Sequence, residues 1–227
     1  MSLMATEPAT RTPTVADLVG RLDPALLGRI LLIPAPGTAR VEDVVALEAH
    51  ENRLCELVDG MLVEKTMGFK ESRLAIVLAY FLERFLEQND LGIVLGADGM
   101  FRLAPGLVRI PDVSFVAWDQ LPGRRLPEAQ VPSIHPDLAV EILSPSNTAA
   151  EMDRKLRDYF ASGARLVWYL DPADRTARAH TAFDRMTTID EAGALDGWAV
   201  LPGFRLELRD WFARVERPGG GGGMARA

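Results

Sequence analysis

The sequence predicts an α/β (α+β) fold: a mixed central β-sheet flanked by helices, with an N-terminal helical and hairpin extension. Two observations carry this. Residues 135–147, "HPDLAVEILSPSN", and 165–172, "RLVWYLDP", hold apolar residues on both faces, as strands do in the middle of a covered sheet. Residues 72–88 repeat apolar side chains at i, i+3, i+4 and i+7 (Leu74, Val77, Leu78, Phe81, Leu82, Phe85, Leu86), as a helix packed on such a sheet does. The 227 residues, 48% hydrophobic and 25% charged, suit one domain with a small extension and a sizeable core.

The elements follow in chain order. Residues 1–13 open with "MSL", which reads as a tag remnant, and continue rich in Thr, Pro and Ala; they are expected to be flexible. "TPTVADLVGRLDPALLGRI" (12–30) holds two short helical patterns separated by "LDP", the first with Thr14 as N-cap, so residues 14–53 are expected to form a helical extension. "CELVDGMLVEK" (55–65) reads as a hairpin turning at Asp59–Gly60. Ser72 is the expected cap of the long helix. "LGIVLGA" and "GMFRLA" are expected to pair as a hairpin through Asp98–Gly99. "RIPDVSFVAW" (109–118) is a strand with Pro111 near its start. The proline-rich loop after it is long enough to imply function or mobility. After the strand at 137–143, Ser146 or Asn147 caps a helix ending near Ser162 and Gly163, with Met152, Leu156, Tyr159 and Phe160 as its apolar stripe. Strands follow at 165–172, at "TARAHTAF" and around 197–208, then a Gly-rich flexible tail at 216–227.

Charge and composition narrow the function classes. The net charge of −7 argues against nucleic-acid binding through general basicity, though not through a local basic rim or metal ions. The only cysteine, Cys55, rules out an intrachain disulfide and a thiolate zinc cluster, and fits a reducing cytoplasm. No apolar run reaches the ~18 residues of a membrane span. His50, His135 and His180 show no metal-type spacing, and the chain has no Walker loop, G-x-S-x-G or dinucleotide fingerprint.

Two acids stand inside otherwise apolar strands, Asp112 and Glu141. A buried carboxylate is costly unless it is paired. If the strands are neighbours, the two lie side by side and raise each other's pKa. A divalent ion removes that conflict. Mg²⁺ takes one or two carboxylates, keeps waters for a phosphate substrate, polarises that phosphate and activates a water. Lys155 follows Glu141 by fourteen positions and flanks the helix's apolar stripe, about 40° from Tyr159. From there it can reach back to orient a water or stabilise developing charge. The structural alternatives are a Glu151–Lys155 surface pair, a Glu141–arginine pair, and Asp112 as a strand-edge cap. Glu56 and Glu71 are accessory candidates, and Glu71 is favoured at a helix start in any case.

Taken together, "CELVDGMLVEK", "IPDVSFV", "PDLAVEILSPSN", "DRKLRDYFASGARLVWYLDP" and "LPGFRLEL" resemble the Uma2 family, labelled "putative restriction endonuclease", of the PD-(D/E)XK nuclease superfamily. The resemblance spans residues 40–212. It implies a restriction-endonuclease-like core within residues 54–215, a mixed four-stranded sheet flanked by helices. It also implies Asp112 and Glu141 as metal ligands, and with both acids inside apolar strands the Ile142 backbone carbonyl is expected to face the same site as a further metal ligand. The superfamily's lysine usually lies two residues after the second acid, where this chain has Leu143. The family's displaced lysine corresponds to Lys155, with Tyr159 one turn on. Many relatives carry a histidine at the start of the long helix, where this chain reads "MGFKESRLA" with Glu71 nearby.

The expected function is a metal-dependent DNA endonuclease using Mg²⁺ or Mn²⁺, cytoplasmic and homodimeric, since cutting two strands calls for two sites. The basic loop "PGRRLP" would serve the DNA. The alternatives are a non-catalytic nuclease-fold module that binds nucleic acid or protein, and a hydrolase of a smaller phosphorylated substrate. In the metal-free protein, Lys155 is expected to pair with Glu141.

Overall fold

The structure, a computed structural model, describes residue 14 and residues 24–216. The helix expected after Thr14, residues 1–13 and residues 217–227 of the tail lie outside the described residues. A 3₁₀ turn spans Pro24–Arg29. The elements that follow are α1 (Val41–Glu51), β1 (Cys55–Val58), β2 (Met61–Glu64), α2 (Phe69–Leu86), β3 (Gly92–Leu95), β4 (Phe101–Ala104), β5 (Leu107–Arg109), β6 (Val113–Ala117) and β7 (Leu138–Ile142). Then come α3 (Ala149–Ser162), β8 (Leu166–Asp171), β9 (Thr176–Ala182), β10 (Arg185–Ile189), β11 (Ala194–Asp196), β12 (Arg205–Glu207) and α4 (Leu208–Val215).

A six-stranded sheet, in the order β10-β9-β8-β7-β6-β3, forms the centre. Among the described residues only β7 and β8 pair in parallel, and such a pair needs a crossover, which α3 supplies. The sheet has two strands more than the resemblance implies. A smaller antiparallel sheet, β2-β1-β5-β4, stands beside it, and β11 pairs with β12. Alternation along the strands sorts their side chains. Val113, Phe115, Leu138, Val140 and Trp168 pack with α2 and α4 on one face. Ala139, Val167 and Tyr169 meet Met152, Leu156 and Tyr159 of α3 on the other. Glu141, two residues after Ala139, therefore points to the α3 face.

The hairpin expected around Asp98–Gly99 does not form. β3 pairs with β6 and β4 with β5, so the turn carries the chain from one sheet to the other. Gly92 permits the first pairing, because a Cβ there would fall 2.1 Å from the Val116 carbonyl oxygen. The strand expected over 109–118 is two, β5 and β6, broken around Pro111, which has no N–H to give to a ladder. Asp112 consequently precedes β6 rather than lying within it, although its N–H still donates to the Val140 carbonyl at 2.9 Å.

The caps expected for the two long helices shift. α2 begins at Phe69 with Gly68 as N-cap, and the Ser72 N–H is already inside, donating to the Gly68 carbonyl. α3 is capped by Thr148, whose hydroxyl accepts the Glu151 N–H at 3.1 Å. Asn147 is engaged elsewhere, accepting the Ser144 N–H. Gly163 ends α3 in the left-handed region, at φ 115°. The hairpin at Asp59–Gly60 and strands β7, β8 and β9 fall where the sequence places them.

Candidate active site

Register brings the two embedded acids together. Val113 stands opposite Val140 across the antiparallel β6–β7 pair. One step outward, Asp112 faces Glu141. Asp112 Oδ2 accepts the Ile142 N–H at 2.7 Å, and its Oδ1 lies 2.9 Å from Lys65 Nζ. Glu141 Oε2 takes Lys155 Nζ at 2.9 Å, and its Oε1 accepts the Tyr159 hydroxyl. Asp112, Glu141, Lys155 and Tyr159 are all buried.

Behind this pair lies a second layer of charge. Lys155 Nζ is also 3.2 Å from Glu56 Oε1. That oxygen accepts the Ile110 N–H, while Glu56 Oε2 accepts from Arg109 at 2.7 Å. Arg109 in turn grips Asp158 Oδ2 through two nitrogens. A continuous chain of bonds thus runs from Asp158 through Arg109, Glu56 and Lys155 to Glu141.

The structural alternatives for these residues do not hold. Glu151 bonds Arg29 and Asn147, not Lys155. Glu141 has a lysine and a tyrosine as partners, and the arginine belongs to Glu56. The second oxygen of Asp112 ties β6 to β7 at the site, which is more than an edge cap.

Electrostatics follow from burial and these contacts. Burial pushes Glu56 upward, but the charges of Lys155, Arg109 and Lys65 outweigh it and bring its pKa down to about 2. Glu141 moves the other way: burial and nearby Asp112 raise it in spite of Lys155. Lys155 is raised, because Glu141 and Glu56 more than offset its desolvation. Burial, with Glu141 beside it, pushes the Tyr159 hydroxyl well up.

The acid pair borders a cleft of about 470 Å³ whose walls include Lys65, Glu71, Asp112, Glu141, Ile142 and Lys155. Glu71 stands on its rim, and Glu56 supports Lys155 from behind. A wider cleft of about 980 Å³ adjoins it, with Glu71, Ser144 and Asn147 common to both. Among the described residues no three His, Cys, Asp or Glu side chains cluster as a metal site. The set is two carboxylates. Their hard oxygens suit Mg²⁺ or Mn²⁺, which need no more than one or two such groups. Glu141 stays raised with Lys155 beside it, chiefly because it is buried.

Two participants escaped the sequence reading, Lys65 and Arg109. Each ends or directly follows a short apolar strand, where a cation ordinarily reaches for solvent. The available signal was the inward alternation of "CELV" and "LVRI", which sets Glu56 and Arg109 among buried residues. The loop "PGRRLP" proves remote: it follows β6 at the end away from Asp112, roughly 16 Å along a five-residue strand. Its Arg124 is bonded to Asp90.

An acid pair opposed across two strands, with a lysine returned to it by the next helix, thus stands at the wall of the cleft. The chain belongs to the Uma2 family, described as "Putative restriction endonuclease", whose model matches residues 41–209. The match includes α1, inside the segment expected to be an extension. Among solved structures, the chain is similar to "a putative nuclease belonging to DUF820" from Anabaena variabilis ATCC 29413. The two share 20% identity and a TM-score of 0.61 over 71% of this chain and 91% of that one, which shows a common fold. No curated protein matches. Among the described residues, no helix is long and apolar enough to cross a membrane.

Proposed function

We propose that this protein is a metal-dependent endonuclease that hydrolyses phosphodiester bonds in DNA. Asp112, Glu141 and the Ile142 backbone carbonyl would hold Mg²⁺ or Mn²⁺. The observation that carries this reading is the opposition of Asp112 and Glu141 on the wall of an open cleft, each already holding an ammonium group. When bound, the ion supplies Lewis acidity toward a phosphoryl oxygen and a more acidic water.

The chain's own groups prepare the site. The Ile142 N–H fixes one oxygen of Asp112. Tyr159 and Lys155 fix both oxygens of Glu141, and Glu56 holds Lys155 from the other side. Lys155 adds positive charge where the transition state gains negative charge. Glu71, on the rim, is placed to accept a hydrogen bond from entering solvent or substrate. A two-fold dimer would present two such sites to a duplex, so light scattering is expected to give twice the monomer mass. The buried free thiol of Cys55 suits a reducing cytoplasm.

The test is cleavage of supercoiled plasmid in Mn²⁺ or Mg²⁺. The parent is expected to cut, and Asp112→Asn and Glu141→Gln to lose the activity while keeping the fold. Cutting by Asp112→Asn at the parental rate would refute the assignment. A second reading, hydrolysis of a smaller phosphorylated substrate, draws support from the net charge of −7 and the remote position of the basic loop. Mononucleotide phosphoesters run beside the plasmid separate the two.

A further inference from the structure

We propose that Lys65 is the resident counter-ion of Asp112, so that a divalent ion enters by exchange with this lysine's ammonium. This rests on the reading that Asp112 and Glu141 hold such an ion. Lys65 directly follows β2, where the chain leaves the smaller sheet, and its N–H donates to the Leu54 carbonyl at 2.8 Å. Its backbone is therefore pinned while its side chain turns inward, 7% exposed. The ammonium lies 2.9 Å from Asp112 Oδ1 and donates to the Ile110 carbonyl at 2.5 Å.

The geometry makes the lysine and a metal ion rivals for one atom. Asp112 Oδ2 is committed to the Ile142 N–H, which leaves Oδ1 as the oxygen facing a cation. An ammonium and a divalent ion on the same oxygen would repel each other strongly at such short range. The two lysines of the site differ in how easily they can leave. Lys155 is held between two carboxylates and keeps Glu56 if Glu141 turns to a metal. Among the described residues, Lys65 has Asp112 as its one carboxylate partner, and its side chain lines the open cleft. Once displaced, its ammonium stays on the cleft wall, where a substrate phosphate would meet it in a charge-assisted bond.

The test uses the full chain and Mn²⁺ alone, with affinity read by calorimetry or by the loss of free-ion paramagnetic signal. Lys65→Met is expected to bind Mn²⁺ about tenfold tighter or more, because a competing charge is gone and a buried carboxylate is left unpaired. Lys65→Arg, which retains a cation, is expected to show no such gain. Melting supplies a second readout. Lys65→Met should be less stable than the parent in EDTA, and saturating Mn²⁺ should close that gap. A purely structural lysine would leave the gap unchanged. If Lys65→Met does not fold, Lys65→Gln carries the same expectation. Unchanged or weaker Mn²⁺ binding by the neutral variant, with normal binding by the parent, overturns the exchange alone. Equal binding by the parent and Asp112→Asn, or none by any of them, overturns the metal assignment with it.

Discussion

Lys155 lies 2.9 Å from Glu141, joined to it from the helix that follows Glu141's own strand. Its other side rests on Glu56, so two buried acids share one ammonium, with Arg109 as the second cation on Glu56. Lys155→Met should therefore cost about 3 kcal/mol or more at neutral pH, the scale of breaking a buried ion pair. Its cleavage should also fall by roughly 10²–10³ where the fold survives. Urea titration measures the first effect, and a stability equal to the parent's would refute the network. Lys155→Arg should not restore activity, since a planar guanidinium poorly replaces a compact ammonium.

Glu56 holds its charge furthest into acid within this pair of glutamates. Its pKa is about 2 in the folded protein against an ordinary 4.5. A lowered acid contributes stability that is complete above the unfolded value and is lost as pH falls through the folded one. Between pH 4.5 and 2 the parent should lose about 3 kcal/mol through this group. Glu56→Gln should be less stable at pH 7 and should show a shallower decline over that window. Parallel acid profiles for the two proteins would contradict the assignment.

Cys55 reports on the same region from the position next to Glu56. The thiol is fully buried in β1, and burial pushes its pKa up to about 11. At pH 8 it should stay a thiol and react with a disulfide reagent only as the protein opens, orders of magnitude more slowly than in denaturant. Rapid labelling of the native protein would mean that the small sheet is loosely held.

Gly92 should tolerate no side chain. With a Cβ at 2.1 Å from the Val116 carbonyl and under 3 Å from the Phe115 ring, Gly92→Ala must push β3 off β6. A loss of about 1–3 kcal/mol is expected, measurable by thermal denaturation. A neutral result would show that β3 pairs in another register.

Why some of this was legible in the sequence, and some not, comes down to range. Asp112 and Glu141 announce themselves because an acid interrupts an apolar run, and Lys155 and Tyr159 because helical periodicity aims them at the preceding strand. Lys65 and Arg109 carry no such local sign. Their carboxylate partners lie 47 and 53 positions away along the chain, and a cation at a strand end is ordinarily solvated. The pairing of β3 and β4 fails for the same reason. A Gly-containing turn between two short strands looks like a hairpin, and only the competing edges of two different sheets decide otherwise. The cap of α2 was missed because Ser72 offers a good hydroxyl, while Gly68 has no side chain to advertise.

The site straddles two sheets. Asp112, Glu141 and Lys155 come from the large sheet and its crossover helix, while Glu56, Arg109 and Lys65 arrive with the small one. Neither half is finished chemistry: the first has acids short of cations, and the second has a lysine without its carboxylate. Docking of the N-terminal hairpin thus completes the ion-pair network. A chain clipped between β2 and α2 would carry the acidic pair, Lys155 and Arg109 without a fixed Glu56 between those two cations. The network is whole only when both sheets are in place.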